Sequence, residues 1–201
     1  MASEVEICNL ALGHLGDNAS IASLDPPEGS AQAEHCARFY PIARDTLLEA
    51  HSWKFATRRG TLALLDTESF NWDYAYAEPF GALRILAVLP SDARSTDEGE
   101  QFETVSDDAG TSLILTDLVD ATVLYTARVS DTTKFSPLFV DALSRLLAAY
   151  LAGPVLKGDA GKAESKAQMQ FFRAALSLAM TSDANQRKVK PEHTVDWMGA
   201  R

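Results

Sequence analysis

Apolar residues recur along this chain in two rhythms, and the change from one to the other divides it. Near the start, Val5, Cys8, Leu12 and Leu15 are spaced by threes and fours, which predicts a short helix over residues 4 to 15, ended between Gly13 and Gly16. The next segment, 17 to 30, contains Asp25-Pro26-Pro27-Glu28-Gly29-Ser30 and reads as a connector, with Ser30 placed to cap a second helix. From Ala31 to His51, Ala33, Cys36, Tyr40, Ala43, Leu47 and Ala50 form the stripe of that helix, which Pro41 is expected to kink.

The rhythm fails after Trp53, where Phe55, Phe70, Trp72, Tyr74, Tyr76 and Phe80 stand in irregular, aromatic-rich sequence. It returns with a different period. Four strands are predicted: Arg84 to Leu89, Gln101 to Val105, Ser112 to Thr116 and Ala121 to Val129. The second and third flank the turn Ser106-Asp107-Asp108-Ala109-Gly110, and Ser91 to Glu100 reads as an acidic, mobile loop. Helix resumes at Ser136-Pro137, a cap followed by proline at the first helical position, and Gly153-Pro154 marks its expected end. A last helix over 160 to 180 carries Met169, Phe172, Leu176 and Met180, with Ala163, Ala167 and Ala174 beside them to permit close helix approach.

These elements predict an α+β fold, mainly α: a helical bundle with a small antiparallel β-sheet inserted between helix pairs, then an extended C-terminal tail. The expected division is a helical domain from 1–52 and 130–182, a β-rich subdomain at 53–129 and a docking tail at 183–201. A chain of 201 residues, 46% of them hydrophobic, can bury a core of this size as one compact unit. Leu146 to Leu151 is the longest strongly apolar run, far short of the ~20 residues that span a bilayer, so no membrane partner is expected. The start of the chain lacks a basic, then apolar, leader pattern, and manufacture in a cytoplasm is expected. Cys8 and Cys36 each sit on a predicted helix among apolar neighbours and read as buried free thiols.

Charge narrows the chemistry. The formal net charge is −10, which opposes the concentrated basic surface that tight nucleic-acid binding needs. Gly153 and Gly158 have the spacing of a phosphate-loop's outer glycines, yet Asp159 stands where lysine is required, so no such loop is predicted. His35 and Cys36 are adjacent and about 100° apart on a helix, and His14 and His51 are remote in sequence, so neither a metal nor another cofactor is expected. Glu98, Glu100, Glu103, Asp107 and Asp108 supply carboxylates near the hairpin, but they read as solvated loop acids, and no Gly-x-Ser-x-Gly elbow occurs. No catalytic residue is assigned and no enzyme is expected. Lys54, Arg58 and Arg59 beside Trp53 and Phe55 are candidates for a subunit interface, with phosphate contact as the competing role. In the tail, Arg187, Lys188, Lys190, Trp197 and Arg201 are candidates for docking onto a partner, because large aromatics anchor interfaces.

A distributed set of motifs adds to this reading. Glu6-Ile7-Cys8-Asn9-x-Ala11-Leu12 opens the chain, and Ile21-x-Ser23-Leu24-Asp25 comes next. Tyr40-Pro41-x-x-Arg44-Asp45-x-Leu47-Leu48, then His51-x-Trp53-x-Phe55-Ala56-x-Arg58, is the most specific part. Tyr74-x-Tyr76-x-x-Pro79 leads to Leu83-Arg84, Phe135-x-x-Leu138-Phe139-x-x-Ala142-Leu143 continues the pattern, and Trp197-x-x-Ala200-Arg201 closes it. Together they resemble the podophage head-to-tail adaptor, or tail tubular protein A, family over nearly the whole chain. Ser52, Lys54 and Ala82 stand where that family often has proline, asparagine and cysteine. The resemblance implies a structural virion protein at the head-to-tail interface: a homo-oligomeric, twelve-fold ring beneath the portal protein. It also implies a C-terminal segment on the portal, a sheet toward the tail nozzle or tube protein, and a channel that passes genomic DNA without sequence-specific binding. A tail-associated peptidoglycan hydrolase is the alternative implied by relatives of this kind. A nucleic-acid-binding regulator is a third class, which the charge opposes.

Overall fold

The computed structural model describes residues 2–66 and 71–186. Among them are four helices and two antiparallel sheets, a mainly-α α+β fold. Helix α1 (Glu4–His14) begins with a capping box in which Ser3 accepts from the Glu6 amide while the Glu6 carboxylate accepts from the Ser3 amide. It ends through Gly16, whose φ of +74° lets the Asp17 amide reach back to the Leu12 carbonyl. Helix α2 (Ala31–Glu49) starts at the Ser30 cap and continues past Pro41 to Glu49. Its buried face is Ala33, Cys36, Tyr40, Ala43, Leu47 and Leu48; Ala50 is exposed at the cap.

Among the described residues, the middle of the chain forms seven strands where four were expected. β1 (Thr57–Thr61), β2 (Ala63–Leu65) and β3 (Tyr74–Ala77) occupy the stretch expected to be irregular. β4 (Ala82–Leu89), β5 (Glu103–Ser106), β6 (Ser112–Thr116) and β7 (Thr122–Ala127) lie within two residues of the predicted strands. They build two sheets instead of one: a three-stranded sheet, β1-β7-β4, and a four-stranded sheet, β2-β3-β6-β5. The hairpin between β5 and β6 turns where Gly110 adopts φ +80° and the Asp107 carboxylate accepts from the Thr111 amide. The loop at 91–100 is partly structured, with a short turn of 3-10 helix at Thr96–Glu98 in a capping box with Ser95.

Helix α3 (Pro137–Leu156) is the centre of the molecule, with α1, α2 and α4 all packed on it. It passes the expected stop at Gly153-Pro154 and ends only at Leu156, where Lys157 at φ +56° turns the chain into the next helix. α3 also corrects the expectation that no segment has membrane-spanning length. Its 20 residues have a mean hydropathy of 1.4, but 61% of that apolar window is buried against neighbouring elements. Helix α4 (Gly158–Ala184) turns back antiparallel along α3. The close approach occurs at Gly161, where a Cβ would lie 2.7 Å from the Ala152 carbonyl, and not at Ala163 or Ala174, which are exposed.

The main core lies between the helices and takes in Trp53, Ala56, Val129 and Phe135 from the joints with the strands. Two smaller apolar clusters belong to the sheets, one around Tyr76, Val88, Ile114 and Val123, the other around Ala75, Leu113 and Leu115. Cys8 and Cys36 are both free and buried, as expected. The Cys36 thiol beside it, together with burial, pushes the Cys8 thiol well above its ordinary range, which keeps it protonated.

Candidate functional site

The sequence's most specific run, residues 40 to 58, builds one joint where helix gives way to sheet. Trp53 is buried, donates its indole N–H to the Leu47 carbonyl at 2.8 Å, and meets Phe139 edge-on with ring centroids 5.0 Å apart. Phe55 packs against Phe135 and Phe139. Such aromatic pairs add roughly 0.5–1.5 kcal/mol each beyond their burial, so the angle at which the strands leave the bundle is firmly held. An ion-pair chain supports the outer side: Asp45 accepts from Arg44 at 2.9 Å and from Arg128, just after β7, at 2.8 Å.

The end of α4 is fastened to the same joint. Asp183 is 5% exposed, and its two oxygens accept from the Lys54 amide at 3.1 and 3.2 Å. His51 Nε2 lies 3.4 Å from the same carboxylate, and the His51 ring stands edge-on to Trp53. Sequence reading missed Asp183. One signal was available: an acid in the last turn of a helix opposes the macrodipole and needs compensation elsewhere. The compensation here is a backbone donor 129 residues away in sequence.

The basic candidates do not form one patch. Arg58 and Arg59 are consecutive on β1 and point to opposite faces of the sheet. Arg59 is engaged internally, donating to the Ala93 and Pro90 carbonyls and to the Thr122 hydroxyl at 2.8 to 3.3 Å. Lys54 serves the joint through its backbone, and its side chain is exposed, as is that of Arg58. The tail candidates Arg187, Lys188, Lys190, Trp197 and Arg201 lie outside the described residues, which end immediately beyond the Asp183 anchor.

The hairpin acids have local structural tasks. Glu98 accepts from the Arg94 and Ser95 amides, Glu103 from the Trp72 indole, and Asp107 from the Thr111 amide. Among the described residues, no group of three or more His, Cys, Asp and Glu side chains is placed to hold a metal ion. His14 and Ser144 meet at 3.1 Å where α1 ends on α3. Burial, and secondarily the nearby Arg145, lower the His14 pKa; Asp141 works weakly the other way. An acidic depression of about 370 Å³ lies at one end of the four-stranded sheet, lined by Trp72, Glu100, Gln101, Thr116, Asp117 and Leu118. Set against family models and against curated proteins, the chain matches none.

Proposed function

We propose that this protein is a structural ring subunit of the head-to-tail adaptor kind, joining a portal to a short phage tail. The observation that carries the reading is the convergence of its most specific motif residues on one joint. Tyr40, Leu47, Leu48, Trp53 and Ala56 are all buried there, and the same joint anchors the root of the C-terminal segment through Asp183. A passive connector needs such construction: a rigid helical block, a sheet unit held at a fixed angle, and a terminal segment leaving from a fixed point. The acid excess suits a channel that repels DNA and lets it slide.

On this reading, residues 187–201 dock on the portal. Deleting them is expected to abolish capture of the chain by immobilised portal protein while the urea midpoint of the remainder stays unchanged. Undiminished capture by the truncated chain would overturn the docking role.

A further inference from the structure

Two thiols remain without a task in the fold described so far. Cys8 lies on the inward face of α1 with Ile7, Ala11 and Leu12, and Cys36 on that of α2 with Ala33 and Tyr40; each is 0% exposed. The two helices are laced at their shared end. The Gln32 side chain donates to the Asp17 carboxylate at 3.3 Å, and Asn9 exchanges hydrogen bonds of 2.8 and 3.0 Å with the Ile21 backbone. Between one and two turns inward from that end, Cys8 and Cys36 meet, and the Cys8 S–H donates to the Cys36 sulfur.

That bond makes the pair unequal. Donation from Cys8 holds the Cys36 thiol below its ordinary pKa, against the effect of burial, whereas the same bond and burial together raise Cys8. One sulfur is thus the readier nucleophile, and the other stands beside it as a resolving thiol. As packing, two small apolar residues would serve this part of the core equally well. As chemistry, two thiols in contact across two helices can become a cross-link.

We infer that Cys8 and Cys36 form a disulfide that locks α1 to α2 when the chain passes from a reducing to an oxidising medium, with a peroxide as the oxidant. The Cys36 sulfur takes one oxygen from hydrogen peroxide as the O–O bond breaks, giving a sulfenic acid and one water. The Cys8 sulfur then attacks the Cys36 sulfur, the S–S bond forms, and the oxygen leaves as a second water. Two thiols are oxidised to one disulfide and one peroxide is reduced to two waters. A reducing cytoplasm keeps the pair open. The change of medium rests on the adaptor reading, in which the chain is built inside the cell and leaves it in a virion. The bond closes the loop from residue 8 to residue 36, which contains the connector, and so stabilises the helical block after assembly. Both sulfurs are buried, so closure waits on local opening of α1, which is 11 residues long.

Oxidation of the folded, full-length chain tests it. The reduced protein is exposed to hydrogen peroxide, quenched, unfolded and alkylated, and its urea midpoint is measured before and after. Expected are loss of both alkylatable thiols, a linked peptide pair carrying residues 8 and 36, a single-chain band on a non-reducing gel, and a raised urea midpoint. Dithiothreitol should reverse all four. C8A and C36A chains, checked for folding by circular dichroism, should show neither the link nor the rise. Both thiols persisting while a small dithiol in the same solution is oxidised would overturn the inference. So would links between chains, or a linked chain with a lower midpoint. None of these readings involves a portal: if the bond fails to form, the lock falls and the adaptor reading stands. If it forms in a chain that builds no ring on a portal, the lock stands and the adaptor reading falls.

Discussion

Asp183 fastens the last helix to the first strand's approach with a carboxylate that is almost fully buried. Asp183→Ala removes the acceptor and leaves the Lys54 amide without a partner, so a loss of about 1–3 kcal/mol is expected in urea unfolding. Asp183→Asn keeps one acceptor oxygen and should cost less; equal losses would contradict the hydrogen-bond explanation. His14 gives a second residue-scale test. Its pKa is lowered in the fold from an ordinary value near 6.5, chiefly by burial, so the unfolded chain takes up a proton more readily than the folded one. Stability from this residue is complete above about pH 6.5 and declines as pH falls below it toward the depressed value. His14→Gln should therefore flatten the stability profile on the acid side of that point, measured by denaturant midpoints across pH. A profile unchanged by the substitution would show that His14 is not the source.

At the scale of elements, the α3–α4 crossing depends on a residue without a side chain. Gly161→Ala should improve helix propensity by about 1 kcal/mol, yet its Cβ would meet the Ala152 carbonyl at 2.7 Å. Overpacking of about 1–3 kcal/mol is expected to win, lowering the urea midpoint. A higher midpoint would mean that the helices separate at little cost. The helices were legible because their stripes and caps are local: Ser30 and Ser136 both cap as their positions suggest. β6 was legible for the same reason. β1 was not, since Thr-Arg-Arg-Gly-Thr has little strand propensity and is a strand only because β7 pairs with it. The split into two sheets was likewise hidden, because which strand pairs with which is decided between distant segments. Arg58 and Arg59 looked like one cluster in sequence and are turned to opposite faces by the alternation of β1.

For the molecule as a whole, charge is divided unevenly. Residues 53–129 hold 13 acidic and 6 basic residues, a net −7 of the total −10. Such a surface should not hold duplex DNA, so gel-shift titration at low salt is expected to show no complex; tight, steeply salt-dependent binding would favour a nucleic-acid-binding protein instead. The adaptor reading stands or falls on a ring at a portal. Electron microscopy of the chain mixed with the portal protein of a short-tailed phage would show it. A closed ring of this chain beneath the portal is expected, with its helical block toward the portal and its sheets away from it. A chain that remains monomeric beside a bare portal would contradict the adaptor role.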